Sequence, residues 1–265
     1  SIRLFNTSRY NYMSKKILVA IPAYNCEKQI PRVLDGFKNK DLRTKITELM
    51  VIDNRSTDGT FNAAEKAIQD YKLSDFAKVI RNKENYGLGG THKVAFLHAL
   101  KNGFDYIAIL HGDHQATTEE LAELIDIAEK NPSASAILGA RFHPKSRLQG
   151  YSKIRTIGNR ALNAIYSGVS FRKTFDLGSG LNLFKVKDLD PLKFCKFTDT
   201  LTFNIDLLLN FYKEDRELIY HPITWSETDQ VSNAKVINIG LTTLKILLYW
   251  RMNNPIRFHK CETDY

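Results

Sequence analysis

The clearest chemical feature of this sequence is a group of polar residues that directly follows a buried strand. Residues 106–110 (Tyr-Ile-Ala-Ile-Leu) have the composition of a fully buried strand, and its carboxyl end is followed by His111, Asp113, His114 and Gln115. In open α/β sheets the ligand lies beyond the carboxyl ends of the strands. These side chains could therefore hold a metal ion or a diphosphate.

A purely structural explanation for Asp113 would be a polar loop in which this residue caps the next helix. However, residues 117–120 (Thr-Thr-Glu-Glu) match a capping box that could start that helix without Asp113. We therefore expect Asp113 to have a functional role.

Four strand-loop-helix units follow one another in the first half of the chain. The predicted strands are residues 16–21 (ended by Pro22), 48–53, 78–81 and 106–110. This succession predicts an α/β fold with a mostly parallel sheet and helices on both faces. The alternation loosens after residue 141. The elements predicted there are a helix at 154–166, a strand near 181–184, a helix at 201–212, a strand at 217–224 and an amphipathic segment at 236–250.

A glycine-rich loop, residues 85–90 (Asn-Tyr-Gly-Leu-Gly-Gly), precedes a predicted helix at 91–101 and could let the backbone approach a phosphate. The loop does not match GxGxxG, and it belongs to the third unit rather than the first. The sequence also contains no GxxxxGK[ST] phosphate loop. These patterns argue against a dinucleotide-binding fingerprint and against an NTPase of the phosphate-loop class.

Composition limits the class of protein further. The 265 residues, 43% of them apolar, predict one large domain or one domain with an appendage. Three scattered cysteines favour reduced thiols and a cytoplasmic location. We find no apolar run of 18 residues and no signal-peptide pattern, so we expect neither a membrane span nor export by that route. We interpret residues 1–12 as a leader or an artificial extension.

The net charge of +9 is concentrated in two segments that contain no acidic residue. Residues 138–175 carry eight basic residues and residues 230–261 carry five. Such segments favour anionic partners, namely phosphates, an anionic membrane surface or nucleic acid. Nucleic acid is disfavoured because no reading motif is present. The C-terminal segment has the composition of an interfacial helix, and a helix packed on the core is the alternative.

Four motifs together resemble one enzyme family. They are residues 21–25 (Ile-Pro-Ala-Tyr-Asn), 51–60 (Val-Ile-Asp-Asn-Arg-Ser-Thr-Asp-Gly-Thr), 85–90 and 111–115. In order and spacing they resemble family 2 glycosyltransferases, most closely polyprenyl-phosphate glycosyltransferases such as dolichol-phosphate mannose synthase. The resemblance covers about residues 16–225. It implies a GT-A domain over residues 13–225, with a donor half to about 140, an acceptor half from about 141, and a C-terminal amphipathic, basic segment at 226–265.

The resemblance also implies an inverting transferase with a nucleoside-diphosphate sugar donor, a UDP-sugar slightly favoured over a GDP-sugar. The residues that it assigns to the donor are Pro22, Ala23, Tyr24, Asp53, Gly89, His111 and Asp113. Asp113 and Gln115 match the metal-binding positions. His111 replaces the first acid of the family's Asp-x-Asp motif. Imidazole can ligate Mn²⁺, whereas Mg²⁺ prefers oxygen, so the expected cofactor is a divalent metal, Mn²⁺ or Mg²⁺.

Two acceptors follow from the resemblance. A polyprenyl phosphate is already an anionic nucleophile and needs cations to position it, for which Arg141, Arg155 and Arg160 are candidates. A sugar hydroxyl in glycan assembly needs a base, for which Asp199 is the candidate. Asn182 stands where the lipid-phosphate enzymes carry an arginine. A sugar-nucleotide binding protein that lost catalysis through His111 is a third hypothesis. Peripheral attachment to the cytoplasmic face of a membrane is expected for the lipid acceptor.

Overall fold

The central feature of the fold is a seven-stranded sheet in the order β3-β2-β1-β4-β7-β5-β8. The computed structural model describes residues 15–227 and 236–252. Within these ranges the strands are β1 (Ile17–Ala23), β2 (Glu48–Asp53), β3 (Ala77–Arg81), β4 (Tyr106–Leu110), β5 (Ala136–Ala140), β6 (Arg147–Gln149), β7 (Leu181–Lys185), β8 (Leu218–Pro222) and β9 (Thr224–Ser226). Strand β7 runs antiparallel to β4 and β5, and the other pairs of this sheet are parallel. The mostly parallel α/β sheet is confirmed.

Helices cover both faces of the sheet. They are α1 (Ile30–Asp35), α2 (Lys40–Thr44), α3 (Thr60–Asp70), α4 (Gly87–Lys101), α5 (Glu120–Lys130), α6 (Lys153–Ser170), α7 (Pro191–Phe194), α8 (Phe203–Lys213) and α9 (Val236–Arg251). Alternate residues of β1 enter different cores: Val19 and Ile21 pack with α1, α3 and α5, whereas Leu18 and Ala20 pack with α4, α8 and α9. A strand buried on both sides must be apolar throughout, which explains the continuous apolar runs in the sequence.

Two predicted element boundaries are corrected by the structure. Strand β1 does not end before Pro22 but continues to Ala23. Proline is tolerated there because the pairing of β1 with β4 stops at Ala20, and this pairing therefore requires no N–H from Pro22. Helix α4 begins at Gly87 and not at Thr91, so all four residues 87–90, which were predicted as part of a loop, form its first helical turn.

The predicted capping box before α5 is wrong. The N-cap residue of this helix, Glu119, makes no capping hydrogen bond with its side chain. Thr118 donates its hydroxyl to the Val33 carbonyl instead, and the Glu120 carboxylate accepts from the Thr224 amide, so both side chains fasten α5 to distant segments. The start of α5 therefore gives no reason to assign Asp113 a functional role.

Helix α9 packs on the core through Ile246 and Leu247, and Trp250 donates its indole N–H to the Leu209 carbonyl. The packed-helix alternative for this segment thus holds for its inner face. Strand β9 and the short strand β6 form a separate parallel pair, and β9 crosses the expected boundary at residue 225. In the part of the chain that the structure describes, no helix is both long and apolar enough to cross a membrane. The expected leader at 1–12 lies outside these residues.

Candidate functional site

The carboxyl ends of β1, β2 and β4 lie next to one another, and the loops that follow them are tied together. Asn25 accepts a hydrogen bond from the Thr57 amide at 2.8 Å and donates its own amide to the Ser56 hydroxyl at 3.0 Å. The Gly112 amide donates to the Pro22 carbonyl at 2.9 Å. Much of the sequence motif at 51–60 therefore serves to hold the first loop in place.

Each of these three loops contains a non-glycine residue in the left-handed region of backbone space. They are Asn25 (φ 50°), Arg55 (φ 61°) and His114 (φ 57°). This region is unfavourable for side chains with a Cβ, and such residues concentrate at functional sites. The edge of the sheet is thus built from fixed, strained turns rather than from loose loops.

A cleft of about 1440 Å³ opens at this edge. It is lined by eight of the residues predicted from the sequence, namely Pro22, Ala23, Tyr24, His111, Asp113, Gln115, Arg141 and Arg155. Four predicted residues do not line it, namely Asp53, Gly89, Arg160 and Asp199. The structure therefore brings the β1 and β4 loops and two of the three arginines into one cavity.

Asp113 and Gln115, which were predicted as metal ligands, both line the cleft and carry side-chain oxygens. The Asp113 carboxylate accepts a hydrogen bond from the backbone N–H of Gln115 at 3.2 Å, which fixes the loop locally. Across residues 15–227 and 236–252, no cluster of three His, Cys, Asp or Glu side chains could hold a metal by itself. One carboxylate with an amide oxygen does fit a cation that completes its coordination with phosphate oxygens and water.

His111 lies on the wall of the cleft with its ring directed into the protein. Its Nε2 atom is buried without a hydrogen-bond partner among the described residues, and its ring centroid is 5.6 Å from that of His92. Burial lowers the pKa of His111, Asp113 opposes this effect, and Arg141 adds to it. The imidazole is therefore held neutral, the form in which a nitrogen can ligate a metal.

Asp53 is fully buried at the end of β2. Its carboxylate accepts from Arg81 Nε at 2.6 Å and from the Ser56 amide at 3.2 Å. The first contact joins the end of β2 to β3, and the second fixes the loop after β2. Contact between Asp53 and a donor nucleotide stays a prediction.

Sequence reasoning missed the asparagines beside the cleft. Asn54 donates to Asn85 at 2.8 Å and accepts from Asn82 and from the Tyr86 amide, and both Asn54 and Asn85 line the cavity. Asn54 directly follows Asp53, the acid that ends β2, and this position could have identified it as a candidate site residue. This network connects the loops after β2 and β3.

Arg141, which follows β5, is held by a carboxylate. Two of its guanidinium nitrogens donate to the two oxygens of Asp176, each at 2.8 Å, and the Trp225 ring lies 4.9 Å from the guanidinium carbon. Asp176 is only 2% exposed in its side chain. The pair fixes the loop at 176–180 to the end of β5.

Arg155, in the first turn of α6, is paired in a similar way. It donates to both oxygens of Glu227, at 2.6 and 3.3 Å, and lies over the Tyr151 ring at 4.4 Å. Arg160 lies exposed on the same helix and outside the cleft.

Asp199 and Gly89 meet behind the cleft. Lys93 of α4 donates to the Asp199 carboxylate at 2.5 Å, and the Gly89 amide donates to the Asp199 carbonyl at 2.8 Å. This amide is therefore engaged by the protein itself rather than directed at a phosphate.

The far wall of the cleft is apolar. Its side chains come from α6, from the residues around the start of α8, and from α9: Ile154, Leu162, Leu201, Ile205, Leu241 and Leu244. The cavity therefore has a polar end at the sheet and an apolar wall between helices.

Comparison with known proteins identifies the family of the chain. Residues 18–192, more than half of the chain, match glycosyl transferase family 2. A UDP-N-acetylglucosamine–dolichyl-phosphate N-acetylglucosaminyltransferase of Methanococcus voltae is 24% identical over 187 residues, 67% of this chain and 72% of that protein. An undecaprenyl-phosphate 4-deoxy-4-formamido-L-arabinose transferase of Proteus mirabilis is 26% identical over 239 residues, 88% of this chain and 68% of that protein.

The fold is also found in solved structures. A glucosyl-3-phosphoglycerate synthase of Mycobacterium tuberculosis, crystallised with Mn²⁺, uridine diphosphate and phosphoglyceric acid, superposes with a TM-score of 0.63 at 16% identity, covering 91% of this chain and 80% of that one. The sheet described above is thus the GT-A fold. On the match of its sequence to the family, the chain belongs to glycosyl transferase family 2.

Proposed function

We propose that this glycosyltransferase transfers a sugar from a UDP-sugar to a polyprenyl phosphate, with inversion and with the help of a divalent metal. The observation that carries the proposal is the construction of the cleft. One cavity has a polar end with Asp113 and Gln115 and an apolar wall formed by three helices. A sugar nucleotide suits the first part, and a lipid suits the second.

The donor suits the end formed by the β1, β2 and β4 loops. Ala23, Tyr24, Asn54 and Asn85 offer backbone and amide groups there. UDP is favoured because a relative uses a UDP-sugar by name and a structure with the same fold was crystallised with UDP. GDP-sugars are the alternative donors.

Asp113 and Gln115 would hold the metal, Mn²⁺ or Mg²⁺, together with the donor diphosphate. A bound divalent cation would neutralise the negative charge that develops on the departing nucleoside diphosphate. The chain itself contributes the fixed loop that orients these ligands and the neutral His111 beside them.

The acceptor is inferred from the residues available for acid-base chemistry. A hydroxyl acceptor needs a base in the cleft, but Asp199 lies outside the cleft lining and is paired with a buried lysine. A phosphate acceptor is ionised already and needs no base. Arg155 is the better cation for it than Arg141, because the Arg155 side chain is 26% exposed and that of Arg141 is 18% exposed. Both relatives reported above are named for lipid phosphate acceptors.

A transfer assay separates the hypotheses. Radiolabelled UDP-N-acetylglucosamine, UDP-glucose and GDP-mannose are each incubated with Mn²⁺ or Mg²⁺ and either undecaprenyl phosphate or an oligosaccharide acceptor. We expect transfer from a UDP-sugar to the lipid phosphate only. Label in the oligosaccharide would instead indicate a glycan-building enzyme.

A binding assay covers the non-catalytic alternative. UDP at about 100 times its dissociation constant should raise the free energy of unfolding by about 2.7 kcal/mol. Stabilisation by UDP and metal without transfer to any acceptor would favour a sugar-nucleotide binding protein. No stabilisation by UDP or GDP would remove the donor site from the proposal.

A further inference from the structure

Helix α4 carries a lysine that is completely buried. Lys93 is 0% exposed, and its ammonium group donates to the Asp199 carboxylate at 2.5 Å and to the Phe197 carbonyl at 2.6 Å. A buried charge is tolerated only when it is paired and hydrogen-bonded. Lys93 thus binds both ends of segment 197–199, which is more than a hundred residues away along the chain.

The glycines at the start of α4 allow the backbone of this segment to approach the helix closely. A Cβ at Gly87 would lie 2.3 Å from the Asp199 carbonyl oxygen, and one at Gly89 would lie 2.4 Å from the Thr198 carbonyl oxygen. The Gly89 amide donates to the Asp199 carbonyl. The glycine-rich motif therefore lets a second backbone approach, rather than a phosphate.

A second acid completes the attachment from α8. The Asp206 carboxylate accepts from the Thr198 amide at 3.2 Å and lies close enough to Lys93 for electrostatic attraction. The backbone of segment 197–199 is thus held from two helices at Phe197, Thr198 and Asp199, and buried backbone groups that are satisfied in this way do not move cheaply.

The held segment leads straight to the cleft. Leu201, Thr202 and Asn204, which follow it, line the cavity beside the first turn of α4. We propose that Lys93 and Asp199 are positioning residues that hold this wall of the cleft in place for the acceptor. The assignment of this wall to the acceptor rests on the proposed function.

The test uses variants that differ in how much of the attachment they keep. Asp199→Asn keeps a side-chain oxygen for Lys93, whereas Asp199→Ala removes the direct ion-pair partner of a buried charge, which can unfold the protein. The double variant Lys93→Met/Asp199→Asn removes both partners of the ion pair, and Asp206 keeps its hydrogen bond from the Thr198 amide. Lys45→Met/Asp126→Asn, which removes another Lys–Asp ion pair joining α2 to α5, is the matched control.

Steady-state kinetics with undecaprenyl phosphate and a UDP-sugar give the first measurement. We expect the double variant to raise the KM for the lipid phosphate about tenfold while the KM for the donor changes less than about twofold, with Asp199→Asn between it and the wild type. Equal losses for donor and acceptor would overturn the proposal. A loss of kcat in Asp199→Asn at unchanged acceptor KM would also overturn it, because a general base would behave in that way.

Hydrogen exchange gives a measurement that does not depend on transfer. In the double variant, peptides covering residues 195–205 should exchange faster, and peptides covering β1 should not change. If the wild type shows no transfer but exchange changes as expected, the proposed function fails while the attachment stands. Unchanged exchange at 195–205 would show that Lys93 does not hold the segment.

Discussion

Asp113 is the acidic residue in the cleft loop after β4, and its position suits it to a metal-bound diphosphate. Asp113→Asn keeps the shape of the side chain but loses the charge that a divalent cation requires. We expect metal-dependent transfer to fall by about a hundredfold or more. Kinetics at saturating UDP-sugar measure the loss. Urea denaturation should show an unchanged free energy of unfolding.

Glu119→Gln is the control for this prediction, since Glu119 is an exposed acid a few residues further along the same loop. It should transfer at the wild-type rate. Full activity in Asp113→Asn would remove this residue from the metal site.

The contacts of Arg141 indicate that this residue stabilises the structure by pairing with Asp176. Lysine lacks the planar guanidinium fork that matches the two carboxylate oxygens, so Arg141→Lys leaves a nearly buried carboxylate less well paired. We expect the free energy of unfolding to fall by about 2–4 kcal/mol, measured by urea denaturation, with reduced transfer as a consequence. Arg147→Lys on the exposed strand β6 should change neither property. Lost transfer at unchanged stability would instead place Arg141 on the substrate.

Asp206, on helix α8, makes the stability of the protein depend on pH. Burial raises its pKa to about 6, although the Thr198 amide and Lys93 oppose the shift. Because the folded pKa exceeds the unfolded one, the stabilisation by this group is complete below about pH 4 and is lost as the pH rises through about 6.

Asp206→Asn mimics the protonated acid and should remove this loss. We expect the variant to gain stability relative to the wild type between pH 4 and pH 7, by at most about 3 kcal/mol. Urea unfolding of both proteins across this range measures the difference. A difference that does not change with pH would contradict the raised pKa.

Helix α4 shows how one element can serve two sides of a fold. Its first turn lines the cleft through Gly87, Leu88 and Thr91, and its inner face carries Ala95, Phe96 and Ala99 into the core. Between them lies Lys93 with the distant segment 197–199. Disruption of this helix should therefore affect the donor loops and the acceptor wall together.

At the scale of the whole molecule, the excess positive charge coincides with exposed apolar side chains. Ile154 and Ile157 of α6 are 83% and 70% exposed, and Leu241 and Leu248 of α9 are also exposed. Helices α6 and α9 touch, and Tyr166 donates its hydroxyl to the Thr243 carbonyl. Apolar side chains among basic residues favour an anionic membrane surface near the apolar wall of the cleft.

We predict that the protein co-sediments with anionic vesicles more strongly than with zwitterionic ones, and less at high salt. Ile157→Ser/Leu248→Ser should reduce binding severalfold without loss of fold, because neither side chain is buried. Leu192→Ser, which changes an equally exposed leucine on α7, is the control. Binding that is indifferent to lipid charge and to salt would leave α6 and α9 as ordinary surface helices.

Local sequence patterns were sufficient to predict most elements of this molecule and the edge of the sheet where the cleft lies. Apolar runs and helical periodicity depend only on neighbouring residues, so β1, β2, β4 and the polar loop at 111–115 could be predicted. The ordered motifs, read as a set, also predicted the family. Where local patterns conflicted with tertiary contacts, as at Pro22 and Thr118, the prediction failed.

Which charges are available for chemistry depends on contacts between residues that are far apart in the sequence. Arg141 meets Asp176 across 35 residues of sequence, Arg155 meets Glu227 across 72, and Lys93 meets Asp199 across 106. These pairs depend on β7 entering antiparallel between β4 and β5 and on the packing of α4 against the segment before α8. No local pattern encodes those neighbours, because charge pairing is set by distance in space and not along the chain.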